Sequence, residues 1–319
     1  MTRSRLLHRL LVPALLVLVC TVAPAGASTE ASAVNQITLS TDQLAEASGL
    51  AASQRAPGVL WAHNDGGDAP TLYALATDGR LLARLTLEAA THQDWEDMAS
   101  FRDQGEPWLV VADVGDNSAT RETLTLYFLR EPELPADASF PADLAQRVER
   151  TLRFRLEGGP ADIESLAVDP ARDAIILVGK RQTPPAVYQL PLHPPDTGRV
   201  LTAERIGQIP RLPPPDLSDI RHNFTLAPFL RQPTALDHDA STGRFLVAGY
   251  ADAHLFACPP SLSLKACFAA TPDTLQLPML PQTEGAAFCQ SGRALCFISE
   301  KLPTLLMQLP SPVSDTTAP

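Results

Sequence analysis

Residues 164–190 read ESLAVDPARDAIILVGKRQTPPAVYQL, which is three short apolar segments separated by two turns. The segments 164–167, 174–179 and 186–190 have the length of β-strands, and Asp169-Pro170 is a typical turn former. Proline is frequent along the whole chain, at 30 of 319 residues, which argues against long helices. The sequence therefore predicts antiparallel strands and an all-β fold.

The same group of strands occurs five times, and each copy begins with a polar residue two places before a buried one. The first strands contain residues 48–51, 96–99, 164–167, 234–237 and 284–287, the second strands 59–63, 108–113, 174–179, 244–249 and 294–299, and the third strands 71–75, 124–129, 186–190, 253–257 and 304–309. The first four copies add a fourth strand, such as 81–87 or 148–156. Four-stranded groups repeated around an axis predict a β-propeller, here with five blades.

Two Pro-rich insertions, residues 131–141 and 210–233, interrupt the repeats and are predicted to be surface loops. Six blades remain the alternative to five if one of these two insertions contains a divergent blade. The fifth copy lacks a fourth strand, because the chain after Pro310 reads SPVSDTTAP. We expect the N-terminal strand at residues 35–40 to pair outside residues 304–309 and so close the last blade, which removes an open sheet edge.

The first 27 residues have the order of a secretory signal peptide. Arg3, Arg5 and Arg9 precede an apolar run over residues 10–23, and small residues lead to Ala27, where we expect cleavage. The run is shorter than the roughly 20 apolar residues of a membrane-spanning helix. The sequence thus predicts a periplasmic or secreted protein without a membrane span, with a signal peptide at 1–27, one propeller domain at 28–310 and a disordered tail at 311–319.

The charge excludes one class of partner. The formal net charge of −11 becomes −14 once Arg3, Arg5 and Arg9 leave with the signal peptide, and no basic stripe follows. A surface that binds nucleic acid as a polyanion is therefore not expected.

Four cysteines follow the signal peptide: Cys258, Cys267, Cys289 and Cys296. An even number fits disulfides in an oxidising compartment, and four cysteines allow three connectivities. Both close pairs read as hairpins, which favours Cys258–Cys267 and Cys289–Cys296. The rival interpretation is a metal site, but no Cys-x-x-Cys spacing supports zinc.

One polar residue opens the innermost strand of each predicted blade. Such residues form a ring around the axis, and converging oxygens are the ligands that Ca²⁺ prefers. The predicted calcium ligands are Ser48, Glu96, Glu164, Thr234 and Glu284. The alternative is that these glutamates are solvated at the channel mouth and pair with Lys or Arg.

The turns between the second and third strands are polar and lie on the same predicted face as this ring. Carboxylates that hold divalent cations beside Lys or Arg suit phosphate esters, since the metal activates water and the cations stabilise developing charge. The candidate catalytic residues are Asp65, Asp116, Lys180, Arg181, Tyr250, Glu300 and Lys301. The alternative is that Asp and Asn are present because they favour tight turns.

The order Ser, Glu, Glu, hydroxyl, Glu on successive inner strands resembles the calcium-activated nucleotidases, or apyrases. That resemblance implies five blades, an axial calcium ion and hydrolysis of nucleoside di- and triphosphates. Thr234 stands where that family has serine. The phrases His63-Asn64-Asp65 and Gly115-Asp116-Asn117 look like those of secreted bacterial propellers of uncharacterised function, and Thr283-Glu284-Gly285 is similar to a blade start of the propeller phytases.

Two functions follow from this reading. The first is an exported propeller with an axial calcium site and a polar face that binds a small molecule or a protein. The second is a calcium-dependent hydrolase of phosphoric esters or anhydrides, nucleotidase-like or phytase-like, that uses the same face.

Overall fold

The computed structural model describes residues 34–135, 141–196, 198–212, 221 and 229–312. The predicted signal peptide, most of the insertion 210–233 and residues 313–319 lie outside the described residues. Within the described part, the chain forms twenty-one strands, the short helix α1 (Leu264–Ala269) and a 3-10 turn at Pro170–Arg172. The prediction of an all-β fold is confirmed, and no helix in these ranges is long and apolar enough to cross a membrane.

The strands fall into five units that follow the predicted repeats. Unit 1 contains β2 (Ala47–Ala52), β3 (Val59–Asn64), β4 (Thr71–Ala76) and β5 (Leu81–Glu88). Unit 2 contains β6 (Trp95–Asp103), β7 (Glu106–Asp113), β8 (Leu124–Arg130) and β10 (Arg150–Leu156). Unit 3 contains β11 (Ile163–Asp169), β12 (Ala174–Gly179), β13 (Ala186–Pro191) and β14 (Leu201–Gln208). Unit 4 contains β15 (Ala235–Asp239), β16 (Arg244–Ala248), β17 (Asp252–Ala257) and β18 (Asp273–Gln276). Unit 5 contains β19 (Thr283–Cys289), β20 (Ala294–Ser299), β21 (Leu305–Pro310) and β1 (Asn35–Thr38). The remaining strand is β9 (Ala142–Arg147).

Strand β1 pairs antiparallel with β21, from Asn35 opposite Gln308 to Thr38 opposite Leu305. The predicted pairing of the N-terminal strand with the last unit is therefore confirmed. The pairing gives β21 a partner on its outer side, where its backbone would otherwise be an open edge.

The units form four sheets in the described residues rather than five separate ones. The outer strand of unit 2, β10, pairs in parallel with the outer strand of unit 3, β14, from Phe154 opposite Leu201 to Leu156 opposite Ala203. The result is an eight-stranded, barrel-like sheet in the order β11-β12-β13-β14-β10-β8-β7-β6. This merger, which the repeats did not predict, satisfies two outer edges at once.

The insertion at 131–141 was predicted to be a surface loop, but its first residue is buried. Glu131 is 2% exposed and its carboxylate accepts hydrogen bonds from the Gln54 amide, at 2.9 Å, and from the Trp61 indole, at 2.9 Å. Directly after the insertion, β9 pairs in parallel with β5 and adds a fifth strand to the sheet of unit 1. A buried carboxylate needs such donors, and no pattern in the sequence indicates that unit 1 supplies them.

The cysteines lie at disulfide distance in the predicted pairs, with Cα–Cα separations of 5.4 Å for Cys258–Cys267 and 5.9 Å for Cys289–Cys296. The second pair bridges β19 and β20, as the hairpin interpretation predicted. The hairpin interpretation of the first pair is wrong, because Cys267 lies in α1. Ser263 caps that helix by accepting a hydrogen bond from the Ala266 amide at 3.2 Å.

The hydrophobic core consists of five clusters, and each cluster lies between two neighbouring units. Representative pairs are Trp61 and Leu109 between units 1 and 2, Phe128 and Ile175 between units 2 and 3, Ile176 and Phe245 between units 3 and 4, Leu246 and Phe297 between units 4 and 5, and Leu50 and Ile298 between units 5 and 1. The first strands β2, β6, β11, β15 and β19 likewise contact one another in cyclic order, with β19 against β2. We call them the inner strands.

Asp97 on β6 ties three inner strands together. Its side chain is fully buried, and Oδ1 accepts a hydrogen bond from the Met98 amide at 2.8 Å. Oδ2 accepts from the amides of Leu166 on β11, at 2.8 Å, and Leu236 on β15, at 3.1 Å. Burial raises the pKa of Asp97 well above its usual range, while the three N–H donors act in the opposite direction by favouring the charged form.

Replacement of Asp97 is expected to destabilise the fold in proportion to the acceptors lost. Asp97→Ala leaves three buried N–H groups without an acceptor, at about 1–3 kcal/mol each, so the free energy of unfolding should fall by about 3 kcal/mol or more. Asp97→Asn keeps one carbonyl oxygen and should lose less. Urea denaturation measures both, with the exposed turn variant Asp78→Ala as control, expected within about 0.5 kcal/mol of wild type. Equal stabilities of Asp97→Ala and Asp78→Ala would contradict the role of Asp97.

Candidate functional site

A polar cavity of about 230 Å³ opens where the inner strands begin, and we call it the cup. Four of the five predicted calcium ligands line it, namely Ser48, Glu96, Glu164 and Glu284. Four of the seven candidate catalytic residues line it as well, namely Asp65, Lys180, Tyr250 and Glu300. The cup also contains Asn117 and Gln282, which were not candidates.

The two hydroxyl groups of the predicted ring serve the backbone. Ser48 donates to the carbonyl of Glu96 at 2.5 Å, which links β2 to β6. Thr234 is buried outside the cup lining and donates to the carbonyl of Thr283 at 2.8 Å, which links unit 4 to β19. These hydroxyls therefore join neighbouring inner strands.

Lys180 provides an internal cation for two of the ring carboxylates. It is 9% exposed at the end of β12, and its Nζ lies 2.9 Å from Oε2 of Glu164 and 3.9 Å from Oε2 of Glu284. Burial opposes a charged amine here, but Glu284 and Glu164 outweigh it and raise the pKa of Lys180. The alternative interpretation of the ring, glutamates paired with Lys or Arg, describes these two glutamates.

Tyr250 completes the surroundings of Glu284. Its hydroxyl donates to Oε1 of Glu284 at 2.6 Å, and its ring centre lies 5.6 Å from the ammonium of Lys180. Burial raises the pKa of Glu284 to about 7, even though Lys180 and the Tyr250 hydroxyl lower it. At neutral pH, Glu284 is therefore close to its pKa, where its protonated form and its charged form, which pairs with Lys180, are both populated.

In the described residues, a second group of carboxylates in and beside the cup forms no ion pair with Lys or Arg, although the charges of Arg121 and Lys180 act to lower the pKa values of Asp94 and Glu96. Asp65, Asp94 and Glu96 each offer an oxygen within 4.8 Å of the other two. Burial, followed by the charge of Asp65, raises the pKa of Asp94 to about 6. Burial, Glu164 and Asp65 raise the pKa of Glu96 well above its usual range. Carboxylates this close repel one another unless a proton or a cation intervenes.

Asp94 was not among the predicted ligands, although a sequence signal for it exists. Asp94 stands two residues before Glu96, at the polar entry to the predicted inner strand. The strand begins at Trp95, and Asp94 is positioned by its own backbone, which accepts hydrogen bonds from the amides of Val114 and Gly115 at 3.1 Å each.

Gly115 explains how the backbone approaches these acids so closely. A Cβ at this position would overlap Oε1 of Glu96 and the carboxyl group of Asp94. Arg121 fixes the turn by donating to the carbonyl of Gly115 at 2.7 Å and to Oδ1 of Asp113 at 2.7 Å. A side chain larger than hydrogen at residue 115 would therefore displace the two carboxylates.

Asp65 is held from the other side by the turn after β3. Its amide donates to the carbonyl of Glu46 at 2.7 Å. Asn64 braces the turn by donating to Oδ2 of Asp68 at 2.7 Å. His63 is fully buried, packs edge-on against Trp95 with ring centres 5.5 Å apart, and has its pKa lowered to about 4 by burial. His63 is thus a neutral core residue beneath the acids.

Three candidate catalytic residues lie outside the cup lining. Asp116 accepts from the amides of Thr120 and Arg121, at 2.9 and 2.7 Å, as the turn-forming alternative predicted. Arg181 pairs with Asp162 at 2.6 Å, and Lys301 pairs with Glu46 at 3.2 Å and with Glu300. These contacts hold the rim of the cup rather than its interior.

Comparison with known proteins found no family model and no curated protein that matches the chain. A solved structure entitled "Structure of U3-55K" superposes with a TM-score of 0.39 and 13% sequence identity, over 82% of this chain and 79% of that one.

The acidic cup predicts a pH dependence of stability. Glu284 releases its proton near pH 4.5 when unfolded and near pH 7 when folded, so the folded state binds more protons between these values. The free energy of unfolding should therefore fall as the pH rises through this window. Glu284→Gln should flatten that part of the profile, whereas Asp196→Asn in an exposed turn should not. Urea denaturation at intervals across the window measures this, and parallel profiles for wild type and Glu284→Gln would contradict it.

Proposed function

We propose that the chain is an exported five-bladed β-propeller that binds Ca²⁺ in the cup and engages a polar ligand at the same face. The cyclic contacts of the inner strands and the five core clusters between neighbouring units support the propeller. The two cysteine pairs at disulfide distance support export to an oxidising compartment.

The observation that carries the calcium proposal is the cluster of Asp65, Asp94 and Glu96. Ca²⁺ takes six to eight oxygen ligands, and three carboxylates with water molecules supply them. Glu96 is 5% exposed and opens into the cup, so its charge is poorly solvated without a counter-ion. Glu96 forms no ion pair with a Lys or Arg of the described residues, because Lys180 is engaged with Glu164 and Glu284.

The charge of Lys180 favours a position of the ion away from the axis. Lys180 already lies beside Glu164 and Glu284, and its ammonium would repel a second cation at the centre of the ring. Glu96 is the one ring member that also belongs to the acidic cluster. We therefore place Ca²⁺ on the side of the cup formed by units 1 and 2.

Calcium binding tests this proposal. Isothermal titration calorimetry should show one site in the wild type, and Ca²⁺ should raise the melting temperature. Glu96→Gln and Asp94→Asn each remove one charged ligand while keeping shape, and each should weaken the affinity at least tenfold. Asp196→Asn, an exposed turn acid, should bind as the wild type does. Equal affinities in all four proteins, or no binding at all, would exclude the site.

The hydrolase is the second candidate function, and the position of Lys180 favours it. Its ammonium lines the cup within reach of any ligand that also contacts the acidic cluster. A metal ion polarises a phosphoryl group and activates water, while a nearby cation stabilises the charge that develops. Nucleotides, phytate and generic phosphodiesters, assayed with Ca²⁺ and with chelator, separate the two functions. Turnover that needs Ca²⁺ and is lost in Lys180→Gln supports the hydrolase, and calcium binding without turnover supports the binding protein.

A further inference from the structure

A second cavity lies at the other end of the inner strands, where they leave the centre of the fold. Its volume is about 720 Å³, roughly three times that of the cup. Five segments, one from each unit, line it: residues 52–55, 100–102, 170–171, 237–241 and 288–292. Sites for small molecules usually measure about 300–1,000 Å³, and this cavity falls in that range.

The cavity is separate from the cup. Strand β6 passes from Glu96 at the cup to Arg102 at the cavity, and six residues of strand span about 20 Å. Between them, the buried carboxylate of Asp97 binds β6, β11 and β15 together. A ligand in this cavity therefore does not depend on Ca²⁺ in the cup.

Most charged and polar groups around the cavity are satisfied within the protein. Arg55 pairs with Glu133 at 3.1 Å, and Asp239 accepts from the hydroxyl groups of Ser241 and Thr242 at 2.7 and 2.6 Å. Nδ1 of His238 lies at hydrogen-bond distance from the carbonyl oxygen of Val168, at 3.0 Å. These groups shape the wall and have little left to offer a ligand.

Arg102 is different. Its guanidinium donates to two backbone carbonyls, those of Gly105, at 2.9 Å, and Gln54. No carboxylate of the described residues pairs with it, so its positive charge is held in place but not neutralised. A guanidinium has five N–H donors, so these two carbonyls leave three unused on an exposed side chain that lines the cavity.

Asp237 supplies the second group that lines the cavity. It is 8% exposed, and its Oδ2 accepts a hydrogen bond from the Phe288 amide at 2.7 Å. No Lys or Arg of the described chain pairs with this carboxyl group. A buried carboxyl group without a cation binds a hydroxyl group well, because it can accept or, when protonated, donate a hydrogen bond.

We propose that this cavity binds a small hydroxylated oxyanion, a sugar acid or a sugar phosphate, with its anionic group on Arg102 and a hydroxyl group on Asp237. An arginine and a carboxyl group that line the same cavity favour molecules that carry both an anionic group and a hydroxyl group. The site is distinct from the cup and independent of its metal.

Calorimetry with gluconate, glucose 6-phosphate and neutral glucose tests the proposal on the full exported chain. At least one oxyanion should bind tenfold or more tightly than glucose, and the stronger of the two identifies a carboxylate or a phosphate ligand. Arg102→Gln should lower that affinity at least tenfold, and Arg102→Lys should recover part of it. Arg199→Gln, which removes an exposed arginine paired with Asp196, should have no effect.

Three results would overturn the proposal: no preference for either oxyanion over glucose, unchanged binding in Arg102→Gln, or loss of binding on addition of chelator or in Glu96→Gln. The last result would assign the oxyanion to the cup. Thermal unfolding of Arg102→Gln is measured alongside, and an unchanged melting temperature ties any loss of binding to the missing guanidinium.

Discussion

The hydrogen bonds to the buried carboxylate of Asp97 are the constraint on which the rest of the structure depends. Three amides from β6, β11 and β15 converge on its two oxygens. Inner strands of different units share no continuous ladder, so side chains must supply the connections between them. Ser48, Thr234 and Asp237 make the same kind of connection between other pairs of inner strands. Asp97 follows Glu96, which lines the cup at one end of the inner strands, while Arg102 of the same strand lines the larger cavity at the other end.

The distribution of charge in the cup follows from the convergence of the inner strands. Carboxylates that open inner strands must face one another, and burial makes each negative charge costly. The two halves of the cup differ in how this negative charge is compensated. Around Glu164 and Glu284 the protein supplies the ammonium of Lys180 and the hydroxyl of Tyr250. Around Asp94 and Glu96 no Lys or Arg of the described residues forms an ion pair, and that difference between the two halves of the cup is the basis for placing a metal ion in the second.

The strand pattern was predictable because it rests on local periodicity. Residues 174–179 and 294–299 were predicted as strands and are strands β12 and β20 with those bounds. Helix α1 was missed because a helix of six residues, Leu264–Ala269, is too short to show a helical period. The parallel contacts of β9 and β10 were missed because they join segments distant in sequence, and no local pattern records such pairings.

The candidate site was predictable to a similar degree. Alignment of the repeats brought Glu96, Glu164 and Glu284 to one cavity, since equivalent positions of a repeated unit lie at equivalent depth. Which of them would be neutralised by Lys180 depends on side-chain reach across units, and the repeats carry no information on that. The cavity at the opposite end was not predicted, because its turns contain ordinary turn formers and Arg102 lies near the end of β6 with no motif around it.

The position of a bound calcium ion tests the account most directly. A crystal grown with Ca²⁺ and measured for anomalous scattering should show one peak with oxygens of Asp65, Asp94 and Glu96 at about 2.3–2.6 Å. The ammonium of Lys180 should remain between Glu164 and Glu284. A peak at the centre of the ring with Lys180 displaced, or no peak in the cup at saturating Ca²⁺, would contradict the account.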